Sequence, residues 1–179
     1  MNDRSQELEQ RLRGRICFMG LGNVEYGDDG FGVRLAEALI VARVPDVIVA
    51  GATPDRWMGR AAGFDHIVFL DAVDFGGEPG SLVFLDSGEM TARFPQISTH
   101  KISLGVLAQW AEANGKTKTW LLGVQPESLK PAQPLTQTLH KTLEALCDLL
   151  GGRTNHVGTA APGCPAEREL GSEMEVNPC

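Results

Sequence analysis

The chain has 179 residues, of which 42% are hydrophobic and 22% charged, and its formal net charge is −7. This length suits one globular domain with a sizeable core. The acidic balance disfavours nucleic acid and anionic membranes as partners, because a protein that binds phosphates carries a basic surplus.

The amino terminus, MNDRSQELEQRLRGR, has mixed charge and no apolar core, so we do not expect it to be a signal peptide. No stretch reaches the roughly 18 apolar residues that a membrane span needs. The four cysteines are widely spaced, without a C-x-x-C pair. We therefore expect a cytoplasmic, reducing compartment.

Apolar runs and helical spacing divide the chain into alternating elements. Predicted strands are RICFMG (15–20), DVIVAG (46–51), HIVFLDAVD (66–74), SLVFLD (81–86) and TWLLGV (119–124). A helix is predicted from Phe31 onward, a short one between 54 and 62, one from 104 that ends at 114–115, and one over 136–150. The segment between the fourth strand and residue 104 is polar and predicts no element.

Strands that alternate with helices and are apolar almost throughout indicate an α/β sheet covered on both faces. We predict one α/β domain over residues 1–152. Residues 153–179 show no apolar periodicity and are predicted to be a disordered tail.

Two adjacent aspartates, Asp28 and Asp29, follow the first strand in the turn GLGNVEYGDDGFGVRL. A glycine-rich turn between strand and helix often binds phosphate. Here the G-x-G-x-x-G spacing and the Walker lysine are missing, and the acidic pair repels a pyrophosphate. An ordinary alternative for Asp29 is a helix N-cap, where a carboxylate accepts backbone N–H bonds.

Further polar side chains fall where the carboxyl ends of the strands are expected to meet. Asp71 ends the apolar part of the third strand, and the sequence QPES (125–128) follows the fifth. His100 precedes the helix that starts at 104, and a lone histidine is more often a surface or core residue. Two carboxylates and an imidazole from separate loops also suit a divalent transition metal.

Four motifs in order, GLGNVEYGDDGFGVRL, VFLDAVDFGGEPGSL, STHKISLGVL and LLGVQPESL, closely resemble the hydrogenase maturation proteases. The resemblance spans about residues 16–150. Members of that family are nickel-dependent endopeptidases that remove the C-terminal extension of the large subunit of [NiFe]-hydrogenases. The resemblance implies a twisted five-stranded, mostly parallel sheet in a three-layer α/β/α fold of the phosphorylase/hydrolase type.

The resemblance also implies a site. The family's metal ligands match Asp29, Asp71 and His100, which are the predicted catalytic and metal-binding residues. Nickel already inserted in the hydrogenase precursor serves the family as the recognition signal, so we expect the substrate to supply the metal and the free enzyme to hold none. The implied partner is the large-subunit precursor, with no nucleic acid and no membrane.

Other residues have secondary predicted roles. No serine or cysteine lies in a nucleophile motif, so hydrolysis is expected to use a metal, a carboxylate base or both. Asp28 either activates water or caps the helix that follows it, and we favour the cap. Asp74 is expected to bind turn amides, and Gln125 and Glu127 to shape the rim of the site. Ala50 replaces an acid that the family often has, which bears on substrate choice.

Two other functions remain open from the sequence. One is a nickel-binding maturation chaperone or checkpoint protein that recognises the precursor without cutting it. The other is a small-molecule metallohydrolase on the same sheet, for which we expect a closed apolar pocket near Asp71, whereas a protease needs an open cleft.

Overall fold

A computed structural model describes residues 11–93, 103–113 and 115–152. The strands are β1 (Ile16–Leu21), β2 (Val47–Gly51), β3 (His66–Ala72), β4 (Leu82–Asp86) and β5 (Lys118–Val124). The α-helices are α1 (Phe31–Val41), α2 (Met58–Ala61), α3 (Ser87–Arg93), α4 (Leu104–Glu112) and α5 (Gln137–Gly151), and 3-10 helices cover Gly27–Gly30 and Pro54–Trp57. All five predicted strands are confirmed.

The five strands form one sheet in the order β2-β1-β3-β5-β4. The four strands β2, β1, β3 and β5 are parallel, and β4 pairs with β5 in the antiparallel direction. The open, mostly parallel sheet that the sequence predicts is therefore confirmed. β1 lies between β2 and β3. The chain therefore runs from β1 to β2 on one side and then crosses to β3 on the other side of β1.

Helices cover both faces of this sheet, as the three-layer prediction requires. On one face, α1 and α5 pack their leucines against alternate residues of β1, β3 and β5. On the other face, α2, α3 and α4 cover the remaining alternate residues, among them Met19, Phe69 and Leu121. Each central strand is buried on both sides, which explains its continuous apolar sequence.

Helix α3 falls in the polar stretch after β4, where the sequence predicted no element. Only Met90 of its seven residues is buried, so the segment has no apolar stripe from which to predict a helix. The short helix predicted between residues 54 and 62 is confirmed as a 3-10 turn that runs into α2. The predicted tail, residues 153–179, lies outside the described residues.

Helix α1 approaches the sheet unusually closely. A Cβ atom on Gly32 would collide with the carbonyl oxygen of Leu70, and one on Gly20 would collide with that of Gly32. Glycine at both positions lets the start of the helix rest directly on β1 and β3. The turn that precedes α1 is thereby held against the carboxyl ends of these two strands.

Candidate active site

The predicted acidic residues gather at the carboxyl edge of the sheet, between β1 and β3. This is the point where the strand order reverses, because β1 is followed by β2 on one side and neighbours β3 on the other. Loops that leave the sheet in opposite directions open a crevice at such a point, and ligands of open α/β sheets bind there.

The turn after β1 is shaped by backbone hydrogen bonds around Asn23. The Asn23 side chain accepts the N–H of Glu25, and its carbonyl accepts the N–H of Tyr26. Gly22 has φ +109° and Gly27 has φ +58°, left-handed conformations that suit glycine. Asn23 was not among the predicted functional residues, although asparagine is common in turns because its side chain binds the backbone N–H two residues on.

Asp29 is buried and its carboxylate is only partly satisfied. Oδ2 accepts the backbone N–H of Asn23 at 2.8 Å, whereas Oδ1 has no hydrogen bond to the described residues. The N-cap of α1 is Gly30, without a side-chain bond, so the alternative of Asp29 as the cap is wrong. A buried carboxylate oxygen without a partner is costly unless a cation or water binds it.

Asp71 is the next-to-last residue of β3 and lies close to Gly22. It is buried, at 4% exposure, and its Oδ1 accepts the N–H of Ala72 at 2.9 Å. A Cβ placed on Gly22 would lie 3.7 Å from this oxygen and would also collide with the carbonyl oxygen of Asp29. Asp29 and Asp71, which are 42 residues apart in sequence, therefore both lie beside Gly22.

The third predicted ligand, His100, lies outside the described residues. Within residues 11–93, 103–113 and 115–152, no group of three His, Cys, Asp or Glu side chains is arranged to hold a metal. The three-ligand set therefore stays a prediction.

Asp28 differs from its neighbour because its carboxylate is fully occupied. It is 0% exposed, and it accepts hydrogen bonds from the backbone N–H groups of Glu127, Ser128 and Thr136 and from the Thr136 hydroxyl. It does not cap α1, contrary to the favoured prediction, because its bonds run instead to the segment after β5. The four hydrogen bonds occupy the carboxylate, which argues against the alternative in which Asp28 activates water.

Gln125 organises the turn between β3 and β4. Its Oε1 accepts the N–H groups of Phe75 and Gly77, and its Nε2 donates to Oδ1 of Asp74. The bond from Gln125, followed by that from the N–H of Gly76, lowers the pKa of the Asp74 carboxyl below its ordinary value. The prediction that Asp74 binds turn amides is confirmed, and Gln125 supports the turn from a buried position.

Neither described cysteine resembles a nucleophile. Cys17 is buried in β1, and burial raises the pKa of its thiol to about 12. Burial also raises the pKa of Cys147, on α5. A thiol with a raised pKa supplies little thiolate at neutral pH, and both positions lie away from the carboxyl-edge turn.

A cavity of about 210 Å³ lies between α2, α4 and the amino end of β3, where Ile67, Met58 and Trp110 line it. Asp71 is at the opposite end of the same strand. This cavity is therefore separate from the acidic site, and it gives no support to a closed pocket near Asp71. None of the described helices is long and apolar enough to cross a membrane.

Residues 33–151 match the family model of the hydrogenase maturation proteases, which is named after HycI. The chain belongs to the hydrogenase maturation protease family. It is 33% identical over 138 residues to the hydrogenase 2 maturation protease of Escherichia coli K12, an alignment that covers 73% of this chain and 84% of the relative.

Solved structures agree with this family membership. The [NiFe] hydrogenase maturation protease HycI of Thermococcus kodakarensis superposes with a TM-score of 0.74 at 30% identity, covering 84% of this chain and 99% of that one. The endopeptidase HybD of E. coli superposes with a TM-score of 0.66 at 29% identity, covering 80% and 94%. As a hydrogenase maturation protease, the protein is a peptide-bond hydrolase with the α/β fold of these relatives.

Proposed function

We propose that this protease removes the C-terminal extension of a nickel-loaded [NiFe]-hydrogenase large-subunit precursor. In this proposal, Asp29, Asp71 and His100 bind the nickel that the precursor carries. The observation that supports it most is the carboxylate of the buried Asp29, whose Oδ1 has no hydrogen bond to the described residues.

The donor set suits this substrate chemically. Two carboxylates and an imidazole offer oxygen and nitrogen donors that bind divalent first-row metals, nickel among them. Asp29 keeps one oxygen for the ion while Asn23 holds the other, which fixes the direction of the carboxylate. The bound nickel supplies Lewis-acid character and orients the precursor, and the free enzyme is expected to hold no metal.

The inferred partner is the large-subunit precursor, as the family resemblance implies, and the family name supports a hydrogenase as the protein that is processed. We infer no nucleic-acid partner, since the net charge of −7 opposes binding to phosphates. We also infer no membrane association, and we infer a cytoplasmic reaction because the four cysteines are widely spaced in the sequence, without a C-x-x-C pair. The family relation supports the protease over both the chaperone and the small-molecule metallohydrolase.

The test is cleavage of a purified large-subunit precursor, prepared with and without nickel. We expect the protein to shorten the nickel-loaded precursor and to leave the nickel-free one intact, as measured by mass spectrometry of the carboxyl terminus. Asp29→Asn should abolish cleavage. Glu37→Gln, which makes the same change in charge at an exposed position on α1, serves as the matched control.

The outcomes separate the alternatives. A protein that binds the nickel-loaded precursor without shortening it would be the chaperone of the first alternative. Cleavage that is equal with and without nickel would show that the metal is no recognition signal and would contradict the proposed role of Asp29.

A further inference from the structure

Asp28 connects two segments of the chain that are about a hundred residues apart. Its Oδ2 accepts the N–H groups of Glu127 and Ser128, each at 2.9 Å, and its Oδ1 accepts the N–H of Thr136 at 2.7 Å. The Thr136 hydroxyl donates to Oδ2 at 3.1 Å. Four donors therefore converge on one carboxylate that is fully shielded from solvent.

These bonds complete the N-terminal cap of α5. Thr136 is the N-cap residue, and its hydroxyl oxygen accepts the N–H of Leu139. In a capping box, the residue three positions on from the N-cap is Glu or Gln, which returns a bond to the N–H of the N-cap. Here that position is Leu139, and Asp28 supplies the missing bond from 108 residues away.

Main-chain bonds reinforce the same connection. The N–H of Asp28 donates to the carbonyl of Ser128 at 3.0 Å, and the N–H of Ala132 donates to the carbonyl of Glu25 at 2.7 Å. A Cβ on Gly27 would lie 2.8 Å from the carbonyl oxygen of Ser128, so the two segments are in close contact. The loop after β5 is thus fastened to the 3-10 turn Gly27–Gly30, which also carries Asp29.

We propose that Asp28 is a positioning residue for cleavage, which holds the turn so that the Asp29 carboxylate points into the crevice. This inference rests on the proposed function, since it assigns Asp29 to the substrate's nickel. Asp28 itself is buried and touches no substrate. Asp29 is the next residue on the same turn, so release of Asp28 moves the Asp29 carboxylate with it.

The test compares Asp28→Asn with wild type on the nickel-loaded precursor, at a temperature where both are folded. The amide keeps the size of the side chain but replaces one acceptor oxygen with a donor that faces N–H groups. We expect kcat to fall roughly ten- to hundredfold, as misplacement of a reacting group by about 1 Å does, with KM changed less than about threefold.

Thr119→Val is the matched control for lost stability. Thr119 is buried at the amino end of β5, where its hydroxyl donates to Glu112 at 2.7 Å. This variant also loses a buried hydrogen bond, at the opposite edge of the sheet, and we expect it to lower Tm while kcat stays at the wild-type value. If Asp28 has only a structural role, Asp28→Asn should likewise lower Tm and leave kcat at the wild-type value.

Hydrogen exchange supplies a readout that does not depend on activity. The amides of Glu127, Ser128 and Thr136 donate to Asp28, so they should exchange faster in Asp28→Asn and at the wild-type rate in Thr119→Val. If Asp28→Asn does not fold, Thr136→Val and Thr136→Ser decide, because valine removes the hydroxyl donor and serine keeps it. We expect a lowered kcat in Thr136→Val and its recovery in Thr136→Ser.

Failure of this inference is distinguishable from failure of the proposed function. A wild-type protein that cleaves, together with a folded Asp28→Asn of unchanged kcat, overturns the positioning role and leaves the function intact. Equal kcat in Thr136→Val and Thr136→Ser would also overturn the positioning role and leave the proposed function intact. A wild-type protein that does not cleave overturns the proposed function, and the positioning role with it.

Discussion

Two adjacent aspartates in one turn have different environments because different backbone N–H groups reach them. Asp28 accepts four hydrogen bonds and has no capacity left, whereas Asp29 accepts one and keeps a buried oxygen unpaired within the described structure. Residue type alone could not distinguish them. The difference arises from the loop after β5, which folds back onto Asp28 and, among the described residues, gives Asp29 no hydrogen bond.

Replacement of Asp29 tests whether its unpaired oxygen has a function. In Asp29→Asn, the side-chain oxygen can still accept the N–H of Asn23, but the charge that a metal ligand needs is removed. We expect cleavage to be lost while the free energy of unfolding changes by no more than about 1 kcal/mol, the net value of one hydrogen bond. Urea denaturation and the precursor assay measure the two quantities, and full activity would rule out a ligand role.

The buried thiol of Cys17 gives a second prediction at this scale. With its pKa raised to about 12 by burial, Cys17 is almost entirely protonated at neutral pH. We expect the native protein to leave Cys17 unmodified by iodoacetamide and the denatured protein to be labelled there, as read by peptide mass mapping. Labelling of native Cys17 at neutral pH, with loss of cleavage, would reopen a cysteine mechanism.

At the scale of elements, the contact between α1 and the sheet places the acidic turn. Gly32 lies in the first turn of α1, against the carbonyl oxygens of Leu21 and Leu70 at the ends of β1 and β3. Because the helix begins there, the preceding 3-10 turn must lie directly over the crevice. The geometry of the site therefore depends on a glycine that carries no chemistry.

Gly32→Ala should separate α1 from the sheet. The added Cβ collides with backbone oxygens that cannot rotate away, so we expect a loss of roughly 1–3 kcal/mol in the free energy of unfolding, typical of overpacking. Cleavage should fall as well, because the turn moves with the helix. Gly59→Ala in α2 is the control, since its Cβ meets nothing within 4 Å, and it should be neutral or slightly stabilising.

The turn between β3 and β4 should be sensitive to pH through Asp74. The pKa of this carboxyl is lowered in the folded protein by Gln125 and then by Gly76, so its contribution to stability is present above the ordinary aspartate pKa and is lost as pH falls through the lowered value. Asp74→Ala should therefore lower Tm at about pH 6 and have a smaller effect at about pH 3. An equal Tm difference at both values would show that the charge contributes nothing.

The sequence predicted elements best where burial leaves a simple pattern. β1, β3 and β5 are mostly apolar because both faces of these strands are covered, and α5 shows its leucines at helical spacing. Helix α3 was missed because one buried methionine makes no pattern. The contacts of Asp28 were also beyond prediction, because three of its four donors are backbone N–H groups of residues 127–136, which almost any sequence supplies.

On the scale of the whole molecule, strand order explains why distant residues form one site. Asp29 follows β1 and Asp71 ends β3, and these strands are neighbours in the sheet although β2 lies between them in sequence. The sequence predicted that both lie at a carboxyl edge, and the family resemblance predicted that they act together. The sequence did not predict how closely Asp29 and Asp71 approach Gly22, because that approach depends on the backbone conformation of the turn.

The last prediction concerns how much of the chain the fold needs. The buried face of α5 consists of Leu139, Leu143, Leu146 and Leu150, and each packs in the cluster shared with α1 and the sheet. A chain that ends after Gly152 keeps all four leucines and every described member of both clusters. We expect the shortened protein to unfold within about 2 °C of the full chain in a thermal melt, since a shift of several degrees corresponds to about 1 kcal/mol for a domain of this size.

A chain that ends after Leu146 is the comparison: it loses Leu150 and the last turn of α5, and its Tm should fall clearly. A large drop for the chain that ends after Gly152 would show instead that the carboxyl-terminal segment packs against the domain.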